Sequence, residues 1–436
     1  MASNKNRVCV VGLGYVGLPT AALLAARGFS VAGVDINAAV VERINAGAPH
    51  IVEPELATLV ADAVAGGNLD AAVSPRASSV FVIATPTPIR AGNLADISAV
   101  EAAAQAIAPV LTTGNLVIIE STCPVGTTAT IARLLARLRP DLSFPQDVPE
   151  RSDIHLAYCP ERVLPGQTLR ELVGNDRIVG GLDARSGRAA RAFYRRFVDG
   201  DIAVTSANAA ELSKLLENAY RDVNIAFANE VSLVCDHFGL DPWEVIDLAN
   251  HHPRVNILRP GPGVGGHCIP VDPWFIHEAA PELTPLIATA RGVNDRKPDW
   301  VVKKVRKAAR KTPGKPIALL GLAYKPNVDD LRGSPAIAVA RQLAADKGAE
   351  LLVAEPHIQD LPPALAGIPG VRLCGHEEAI ARAGVVVVLC NHDAFGAIPR
   401  TVLAGKALID PVGLFAGAGQ PASTPAASED ACAQAS

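Results

Sequence analysis

Short apolar stretches alternate with helical patterns along the first half of the chain. The apolar stretches have the length of single strands, and the segments between them are rich in Ala and Leu. Strands that alternate with helices predict a doubly wound α/β sheet. The predicted strands are residues 7–11, 30–34, 80–84, 116–120 and 154–158.

The same alternation returns near the C-terminus and predicts a second α/β domain. Its strands are predicted at IALLG, ELLVA, VVVVL and ALID, residues 317–321, 350–354, 385–389 and 407–410. The chain is 49% hydrophobic but only 4% aromatic, so Ala, Val, Leu and Ile must fill the interior. That composition suits parallel sheets covered by helices.

A long uninterrupted helical pattern separates the two α/β regions. It opens at Asn208, which has Glu211 in capping-box spacing, and it closes at Gly239, where a left-handed turn ends a helix easily. At 1.5 Å per residue the helix would be roughly 45 Å long, a length that usually joins domains or subunits. The expected fold class is α/β, with two Rossmann-like doubly wound domains joined by a long central helix and a helical middle domain.

These patterns place the domain boundaries. With 436 residues, the chain is long enough for two or three domains. The last stretch is small, polar and proline-containing, so we expect it to be disordered. The predicted segments are an N-terminal domain at 1–205, a central helical domain at 206–312, a C-terminal domain at 313–415 and a tail at 416–436.

Charge and hydropathy exclude several functions. A net charge of −4 gives no field that would gather nucleic acid or an anionic membrane. Residues 296–311 carry eight basic side chains, but Val301, Val305 and Ala308 share one helical face, which predicts an ordinary helix with solvated basic residues. The longest apolar run, 385–390, is far below the roughly 18 residues of a membrane span.

The N-terminus and the cysteines indicate the compartment. The polar start MASNKNR leads directly into VCVVGLG, so we expect no signal peptide and place the protein in the cytoplasm. Eight cysteines are scattered singly without a Cys-x-x-Cys pair. A disulfide framework or a zinc ribbon is therefore not expected.

A glycine motif between the first strand and the first helix predicts a dinucleotide site. Gly12 permits the tight turn, Gly14 lets the backbone approach a pyrophosphate, and Gly17 lets helix and strand pack closely. The helix N-terminus then presents free N–H groups to the phosphates. Asp35 ends the second strand, where a carboxylate binds the adenosine ribose and repels a 2′-phosphate. We therefore expect NAD rather than NADP.

Two later strands end in loops rich in Thr and Pro. Ligands of doubly wound sheets bind beyond the carboxyl ends of the strands. The hydroxyls of Thr87, Thr122 and Thr128 could therefore contact cofactor or substrate, although such residues are more often plain turn formers.

Cys268 follows four glycines and a histidine in the stretch GPGVGGHCIPVDPW. It could be a buried packing residue, a zinc ligand together with His267 and the pair His251 and His252, or a nucleophile. A loop of Pro and Gly is a poor place to bury a thiol, and no ligand pair has a familiar zinc spacing. Glycines let a substrate approach closely, so the nucleophile is favoured.

The long helix supplies a polar stripe. Lys214, Asn218 and Arg221 share one face of it, and apolar residues flank that face, so we expect the stripe to line a cleft. A dehydrogenase with a nucleophilic cysteine can oxidise an alcohol to an aldehyde, trap it as a thiohemiacetal, oxidise that to a thioester and hydrolyse it. Two NAD would be reduced per alcohol. A two-electron hydroxyacid dehydrogenase using only Lys214 and Asn218, or a non-catalytic NAD sensor, remain alternatives.

Six motifs, in order along the chain, resemble one known family. They are VVGLGYVGLPTA, ESTCPVGTT, YCPERVLPG, ELSKLLENAYRDVNIAFANE, HHPRVNILRPGPGVGGHCIPVDPWF and LLGLAYKPNVDDLRGSPA. Together they resemble the UDP-glucose/GDP-mannose dehydrogenase family, over about residues 7–413. That family oxidises the 6-hydroxymethyl group of a nucleotide sugar to a carboxylate with two NAD. The resemblance implies a UDP-sugar substrate and a homodimer or higher homo-oligomer, with no nucleic-acid or membrane partner.

The resemblance also implies catalytic roles. Cys268 would be the nucleophile, and Lys214 would transfer a proton or stabilise the oxyanion with help from Asn218. Asp272 and Thr122 would position or activate the hydrolytic water.

The remaining roles follow from the same resemblance. Glu161 would take part in acid–base chemistry, and no metal is implied. Besides the three glycines, the cofactor residues would be Tyr15, Val16, Asp35, Thr87, Thr128 and Arg332, the last from the same or a neighbouring subunit. The substrate residues would be Arg162, Val163, Lys214, Asn218, Arg221, His252, Arg254, Gly265, Tyr324 and Lys325.

Two residues depart from the family pattern. Tyr324 stands where phenylalanine is usual, and Pro270 stands where alanine is usual. Either could shift the substrate preference without changing the reaction.

Overall fold

The computed structural model describes residues 6–416 apart from residues 52, 165 and 347. Its internal contacts divide the chain into two units. The first comprises Met1–Arg221 and Val271–Ala288, and the second comprises Asp222–Pro270 and Thr289–Ser436. The tail predicted to be disordered lies, from residue 417 onward, outside the described residues.

An eight-stranded sheet forms the centre of the first unit. Its strand order is β10-β9-β8-β7-β4-β1-β2-β3, and all neighbours are parallel except β8 and β9. Strands β5 and β6 form a separate antiparallel hairpin. The strands are β1 (Arg7–Val11), β2 (Ser30–Val34), β3 (Leu69–Ala72), β4 (Val80–Ile83), β5 (Ile89–Arg90), β6 (Leu94–Ala95), β7 (Leu116–Ile119), β8 (His155–Tyr158), β9 (Arg177–Gly181) and β10 (Ile202–Ser206).

Helices cover both faces of this sheet. Val8 and Val10 of β1 belong to the apolar cluster on one face, and Cys9 and Val11 belong to the cluster on the other. Successive strand residues point to opposite faces, so both faces must be covered to keep them dry. The helices are α1 (Gly17–Ala26), α2 (Ala38–Asn45), α3 (Leu56–Ala65), α4 (Ser98–Ile107), α5 (Thr127–Leu138), α6 (Thr168–Gly174) and α7 (Ala184–Tyr194).

The central part of the chain is helical, as expected. Two of its helices, α8 and α11, begin in the first unit and continue into the second. Its helices are α8 (Ala207–Phe238), α9 (Pro242–Asn250), α10 (Asp272–Ala279) and α11 (Pro285–Ala309).

Two details of these helices differ from the sequence prediction. Helix α8 begins at Ala207, so Asn208 lies inside the helix and the predicted capping box is wrong. The carboxylate of Glu211 instead accepts hydrogen bonds from the start of α5. In α11, Val301 and Val305 are buried as predicted, but the basic Lys297 is only 2% exposed rather than solvated.

The second unit contains a five-stranded sheet in which all neighbours are parallel, in the order β13-β12-β11-β14-β15. Apolar clusters cover both of its faces. Its strands are β11 (Ile317–Leu320), β12 (Leu351–Ala354), β13 (Val371–Leu373), β14 (Val385–Val388) and β15 (Ala407–Ile409), and its remaining helices are α12 (Pro335–Ala344), α13 (His376–Arg382) and α14 (Asp393–Gly396).

The fold class is therefore confirmed: two Rossmann-like α/β sheets are separated along the chain by a helical middle region. The exact domain boundaries stay a prediction. Among the described residues, no helix combines the length and the apolar character that a membrane crossing requires.

Candidate active site

The glycine turn after β1 leaves an open space for a ligand. Gly12 has φ 92°, and a Cβ there would lie 2.7 Å from the carbonyl oxygen of Ala84. A Cβ on Gly17 would lie 1.8 Å from the Gly12 carbonyl oxygen, so α1 can begin here only with glycine. A Cβ on Gly14, in contrast, would meet nothing within 4 Å. Gly14 thus faces open space, which fits the approach of a pyrophosphate to the backbone.

Asp35 stands directly after β2, beside this turn. Its Oδ2 accepts a hydrogen bond from the Leu13 amide at 3.1 Å, and its Oδ1 accepts one from the Asn37 amide at 2.9 Å. Asp35 is half-buried, and a carboxylate oxygen can accept more than one hydrogen bond. The position fits the ribose hydroxyls of a dinucleotide. Tyr15 and Val16 lie in the turn between Gly14 and α1.

Thr87 and Thr128, from the two later loops, form hydrogen bonds within the protein. The hydroxyl of Thr87 donates to the carbonyl of Thr122 at 2.5 Å. Thr128 is fully buried, and its hydroxyl and amide donate to Glu211 Oε1 at 2.6 and 2.8 Å. The Gly126 amide donates to Glu211 Oε2 at 2.6 Å. Glu211 therefore fixes the N-terminus of α5 to α8, a structural role that the sequence reasoning missed.

Three buried polar side chains form a cluster: Lys214 and Asn218 on α8 and Asp272 on α10. Asn218 donates to Asp272 Oδ2 at 2.6 Å. Lys214, Asn218 and Asp272 are 8%, 6% and 2% exposed, so water is largely excluded from them. Asp272 is the first residue of α10, and an apolar cluster that includes Leu215 and Phe275 packs α8 against α10. The sequence-predicted Lys214, Asn218 and Asp272 are thus brought together.

Burial shifts the acid–base properties of two carboxyl groups here. Burial raises the pKa of Asp272 to about 6, although the charge of Lys214 and the hydrogen bond from Asn218 oppose it. Burial also raises the pKa of Glu161, again opposed by Lys214. A carboxyl group whose pKa is raised towards neutrality, as that of Asp272 is, is suited to proton transfer.

The segment that follows Glu161 is anchored to neighbouring elements. Glu161 accepts a hydrogen bond from the Val163 amide. The guanidinium of Arg162 pairs with Glu217 on α8 at 2.8 Å and donates to the Asp176 carbonyl at 3.2 Å. Arg162 therefore already has protein partners at this position.

The second unit contains Cys268 in its glycine loop. Cys268 is exposed, whereas the other described cysteines are buried or half-buried, so packing is not its role. A Cβ on Gly265 would lie 2.6 Å from Tyr324 Cβ, and the Gly266 amide donates to the Arg332 carbonyl at 3.3 Å. The cysteine loop therefore lies directly on the loop that carries Tyr324 and Arg332.

The other predicted ligand residues of the second unit are near its surface. The His252 ring accepts from the Arg254 amide at 3.3 Å, and both residues are exposed. Arg332 donates to both carboxylate oxygens of Asp330 at 2.8 and 2.7 Å. Lys325 is half-buried, and Arg221, in the first unit, is exposed on α8.

Metal ligation around Cys268 finds no support. Over the described part of the chain, the grouping of His, Cys, Asp and Glu close enough to hold an ion is Glu355, His357 and His392. Cys268 and His267 do not belong to it.

A dinucleotide turn combined with buried acid–base residues is the arrangement of a nicotinamide-dependent dehydrogenase. Three family models match successive parts of the chain: the NAD binding domain at residues 6–198, the central domain at 208–296 and the UDP binding domain at 318–416. The chain belongs to the UDP-glucose/GDP-mannose dehydrogenase family.

Relatives match over nearly the whole length. The chain is 53% identical over 408 residues to the NDP-N-acetyl-D-galactosaminuronic acid dehydrogenase of Ralstonia nicotianae, covering 94% of this chain and 96% of the relative. It is 51% identical over 416 residues to the UDP-N-acetyl-D-mannosamine dehydrogenase of Yersinia pestis, covering 94% and 99%. The structure of a UDP-D-ManNAc dehydrogenase from Pyrococcus horikoshii matches with a TM-score of 0.84 and 38% identity, covering 94% and 96%.

These matches confirm the family resemblance, the class of enzyme and NAD as the cofactor. The UDP binding domain supports a UDP-sugar as the substrate. The roles of the individual site residues stay predictions.

Proposed function

We propose that this enzyme oxidises UDP-N-acetyl-D-mannosamine at C6 to UDP-N-acetyl-D-mannosaminuronate, a precursor of surface polysaccharide. The names of the Yersinia pestis and Pyrococcus horikoshii relatives support this substrate. The stretches ERVLPG and HHPRVNIL resemble the mannosamine-type enzymes, and Leu164 replaces the aspartate typical of relatives that use UDP-N-acetylglucosamine. The chemistry rests on one observation above all, the buried hydrogen bond between Asn218 and Asp272 beside Lys214.

The first oxidation converts the primary alcohol to an aldehyde. NAD supplies the hydride acceptor when bound. Lys214 takes or relays the hydroxyl proton, and Asn218 donates to the oxygen as its charge develops. Their burial strengthens both interactions, because charge is poorly screened away from water.

The second oxidation passes through the cysteine. The thiolate of Cys268 adds to the aldehyde carbon, and the oxygen takes up a proton to give a thiohemiacetal. A second NAD, held by the glycine turn and Asp35, would accept the hydride of the thiohemiacetal carbon; with loss of the hydroxyl proton this gives the thioester. The aldehyde thus stays covalently bound until it has been oxidised.

Hydrolysis then releases the acid. Water adds to the thioester carbon and the Cys268 thiol leaves, so no further redox step is needed. Asp272 in its ionised form accepts the proton of the water, with Thr122 positioning it and Glu161 serving as a second acid–base group. The raised pKa of Asp272, about 6, makes it a stronger base than an ordinary aspartate.

The binding residues follow the three-domain division. Residues 1–205 hold NAD, residues 206–312 form a homodimer, and residues 313–415 hold the UDP-sugar, in a cytoplasmic enzyme. NAD contacts Gly12, Gly14, Tyr15, Val16, Gly17, Asp35, Thr87 and Arg332, and the fully buried Thr128 supports this cofactor site through its hydrogen bonds to Glu211. The sugar nucleotide contacts Arg162, Val163, Lys214, Asn218, Arg221, His252, Arg254, Gly265, Tyr324 and Lys325.

A trapping experiment tests the covalent step. Cys268→Ser is expected to lower steady-state acid formation by at least about a thousandfold and to accumulate an ester, because an ester with serine hydrolyses far more slowly than a thioester. Wild-type enzyme should form two NADH per sugar, and intact-protein mass spectrometry should detect the adduct on the variant. Full uronate production by Cys268→Ser or Cys268→Ala would refute the cysteine mechanism.

The higher identity of 53% to the Ralstonia nicotianae relative favours a second candidate substrate, an NDP-N-acetyl-D-galactosamine derivative. Steady-state assays with UDP-N-acetylmannosamine, UDP-N-acetylgalactosamine, UDP-N-acetylglucosamine and UDP-glucose separate the candidates. The proposed substrate should show the highest kcat/KM. A higher value for any other sugar would reject it.

A further inference from the structure

A buried glutamate stands at the end of β12 in the second unit. Glu355 is 5% exposed, and its Oε2 accepts hydrogen bonds from the amides of Leu322 and Ala323 at 2.7 and 3.0 Å. Its Oε1 accepts from the His357 amide at 3.1 Å. Glu355 thereby binds the first residues of the loop that follows β11.

His392 completes this network. The residue is fully buried, and its Nε2 lies 3.0 Å from Glu355 Oε2. Its Nδ1 accepts a hydrogen bond from the Asn327 amide at 2.9 Å. Because Nδ1 is an acceptor, the ring proton must be on Nε2, where it is donated to Glu355.

Asn327 marks the other end of the loop. Its φ of 59° is in the left-handed region, and its side-chain oxygen accepts from the Asp393 amide at 3.0 Å. Glu355 therefore fixes residues 322 and 323, while His392 fixes residue 327. Tyr324 and Lys325 lie between these two attachments.

The same contacts argue against a metal ion in this cluster. Both oxygens of Glu355 accept backbone amides, and both ring nitrogens of His392 are used. A cation would have to displace the proton on Nε2 while Nδ1 kept its amide partner. The donor set fits a structural hydrogen-bond network.

The electrostatics agree with a permanently ionised carboxylate. Burial alone would raise the pKa of Glu355, but His392 and the amides of Leu322 and Ala323 hold it below the usual value. A carboxylate that accepts this many hydrogen bonds is stable without solvent. It can therefore serve as a fixed support under the loop.

We propose that Glu355 and His392 are positioning residues for nucleotide-sugar binding, because they hold the loop 322–327 that presents Tyr324 and Lys325. This inference rests on the proposed function in one respect, that Tyr324 and Lys325 contact the sugar nucleotide. The loop also supports the cysteine loop, since Gly265 packs against Tyr324. Displacement of the loop 322–327 would therefore weaken UDP binding directly, and it would disturb the Cys268 loop indirectly through the contact between Tyr324 and Gly265.

Two substitutions of His392 separate its two hydrogen bonds. His392→Asn keeps an acceptor near the Nδ1 position and so keeps the Asn327 amide bonded. His392→Gln keeps a donor near Nε2 for Glu355 but loses that acceptor. We expect His392→Gln to weaken UDP binding about tenfold, the effect of one buried hydrogen bond, and His392→Asn to stay within about threefold of wild type. NAD binding should be unchanged in both.

The measurements are calorimetric titrations of the full chain with UDP and, separately, with NAD. Hydrogen exchange of the peptide spanning 322–327, without ligand, should become faster in His392→Gln and remain slow in His392→Asn. His376→Asn is the matched control, because His376 is a half-buried histidine of the same sheet domain outside this loop.

Unchanged UDP affinity and unchanged exchange in His392→Gln would overturn the inference. Equal losses of UDP and NAD affinity would also overturn it, because they would indicate general destabilisation. Failure of the proposed function would look different. Wild-type enzyme would then bind UDP but oxidise no UDP-sugar, while hydrogen exchange of the peptide 322–327 would still be faster in His392→Gln than in His392→Asn.

Discussion

The first and the second unit contain the same glycine turn at the start of their parallel sheets. Gly12 and Gly321 have φ values of 92° and 91°. Each directly follows a central strand, and each donates its amide to the end of the adjacent strand at 2.8 Å, to Val34 in the first unit and to Ala354 in the second. The same backbone frame is thus built twice in one chain.

The crowding around the two turns is also equivalent. A Cβ on Gly12 would lie 2.7 Å from the Ala84 carbonyl oxygen, and a Cβ on Gly321 would lie 2.5 Å from the Cβ of Cys390. Both partners follow the strand on the other side of the turn. In each sheet, glycine is required by the close approach of the neighbouring strand end, whichever ligand the domain binds.

The residues after the turn differ, and they decide what each core can bind. In the first unit α1 begins at Gly17, three residues after Gly14, where a Cβ would meet nothing within 4 Å. In the second unit Tyr324 and Lys325 follow the turn, and α12 begins only at Pro335. The first core therefore offers the backbone amides of a helix N-terminus, which suit a phosphate, whereas the second offers side chains on a loop.

The acids after the second strands differ in the same way. Asp35 is half-buried and accepts two backbone amides, which leaves it capacity for ribose hydroxyls. Glu355 is buried and accepts three amides and the His392 ring. The position that we expect to bind the ribose in the first core thus supports a loop in the second.

The largest expected effect comes from crowding the first turn. Gly17→Ala should abolish NAD binding or prevent folding of the first unit, because its Cβ would overlap the Gly12 carbonyl oxygen at 1.8 Å. Gly14→Ala should leave the protein folded, since its Cβ would meet nothing within 4 Å, but should weaken NAD binding by at least about tenfold. Circular dichroism and calorimetric NAD titration measure the two effects.

Gly12→Ala and Gly321→Ala are the matched variants of the two cores, and each should destabilise its own unit, because the added Cβ would overlap atoms that follow the neighbouring strand. Wild-type NAD affinity in Gly14→Ala would show that the pyrophosphate does not approach this backbone. The two cores would then still share the glycine turn, but the proposed difference in how they bind their ligands would be rejected.

A smaller effect is expected from exchanging the two acids for amides. Asp35→Asn should weaken NAD binding by about tenfold, because an amide accepts fewer hydrogen bonds from ribose, and should leave UDP binding unchanged. Glu355→Gln should do the opposite, because the glutamine amide has only one acceptor oxygen. Whichever way it turns, its NH2 group faces backbone amides that now donate to Glu355, either those of Leu322 and Ala323 or that of His357. Titration of each variant with both nucleotides checks this. Loss of NAD affinity in Glu355→Gln would remove the proposed division of roles.

The sequence predicted those strands that are mostly apolar. In the two parallel-stranded cores it missed β3, β9, β10 and β13, whose sequences LDAA, RIVGG, IAVTS and VRL are short or partly polar, and it also missed the two-residue hairpin strands β5 and β6. Edge strands and strands near the edge need less apolar surface, so their hydrophobic signal is weak. Their pairing is set by tertiary contacts.

The local geometry of the glycine turn was predictable, because the tight turn at Gly12 and the close helix packing at Gly17 each have one mechanical reason that requires glycine. The site was not predictable where long-range contacts decide. Glu211 has the spacing of a capping box, but its carboxylate accepts a hydrogen bond from the amide of Thr128 on α5, which lies 83 residues earlier in the chain. Lys297 belongs to a basic run, yet it is buried against the ring of Trp300 at 4.4 Å. Local periodicity contains no information about either partner.

Two buried carboxyl groups show why burial alone does not decide protonation. Asp272 is 2% exposed and has the Asn218 hydrogen bond, and burial raises its pKa to about 6. Glu355 is similarly buried, but the hydrogen bonds from His392 and the amides hold its pKa below the usual value. The first group can exchange a proton near neutral pH, and the second cannot.

The smallest expected effect follows from this difference and appears in the pH profile. If ionised Asp272 accepts the proton of the hydrolytic water, acid formation should fall to about half its plateau near pH 6 and further below it, because the ionised fraction declines as pH drops through the pKa. Asp272→Asn should be slow and lack this acidic limb, whereas Glu355→Gln should keep it, since Glu355 does not titrate there. Single-turnover formation of uronate between pH 5 and pH 8 measures the limb. A limb that persists in Asp272→Asn would assign it to another group, with Glu161 as the next candidate because burial also raises its pKa.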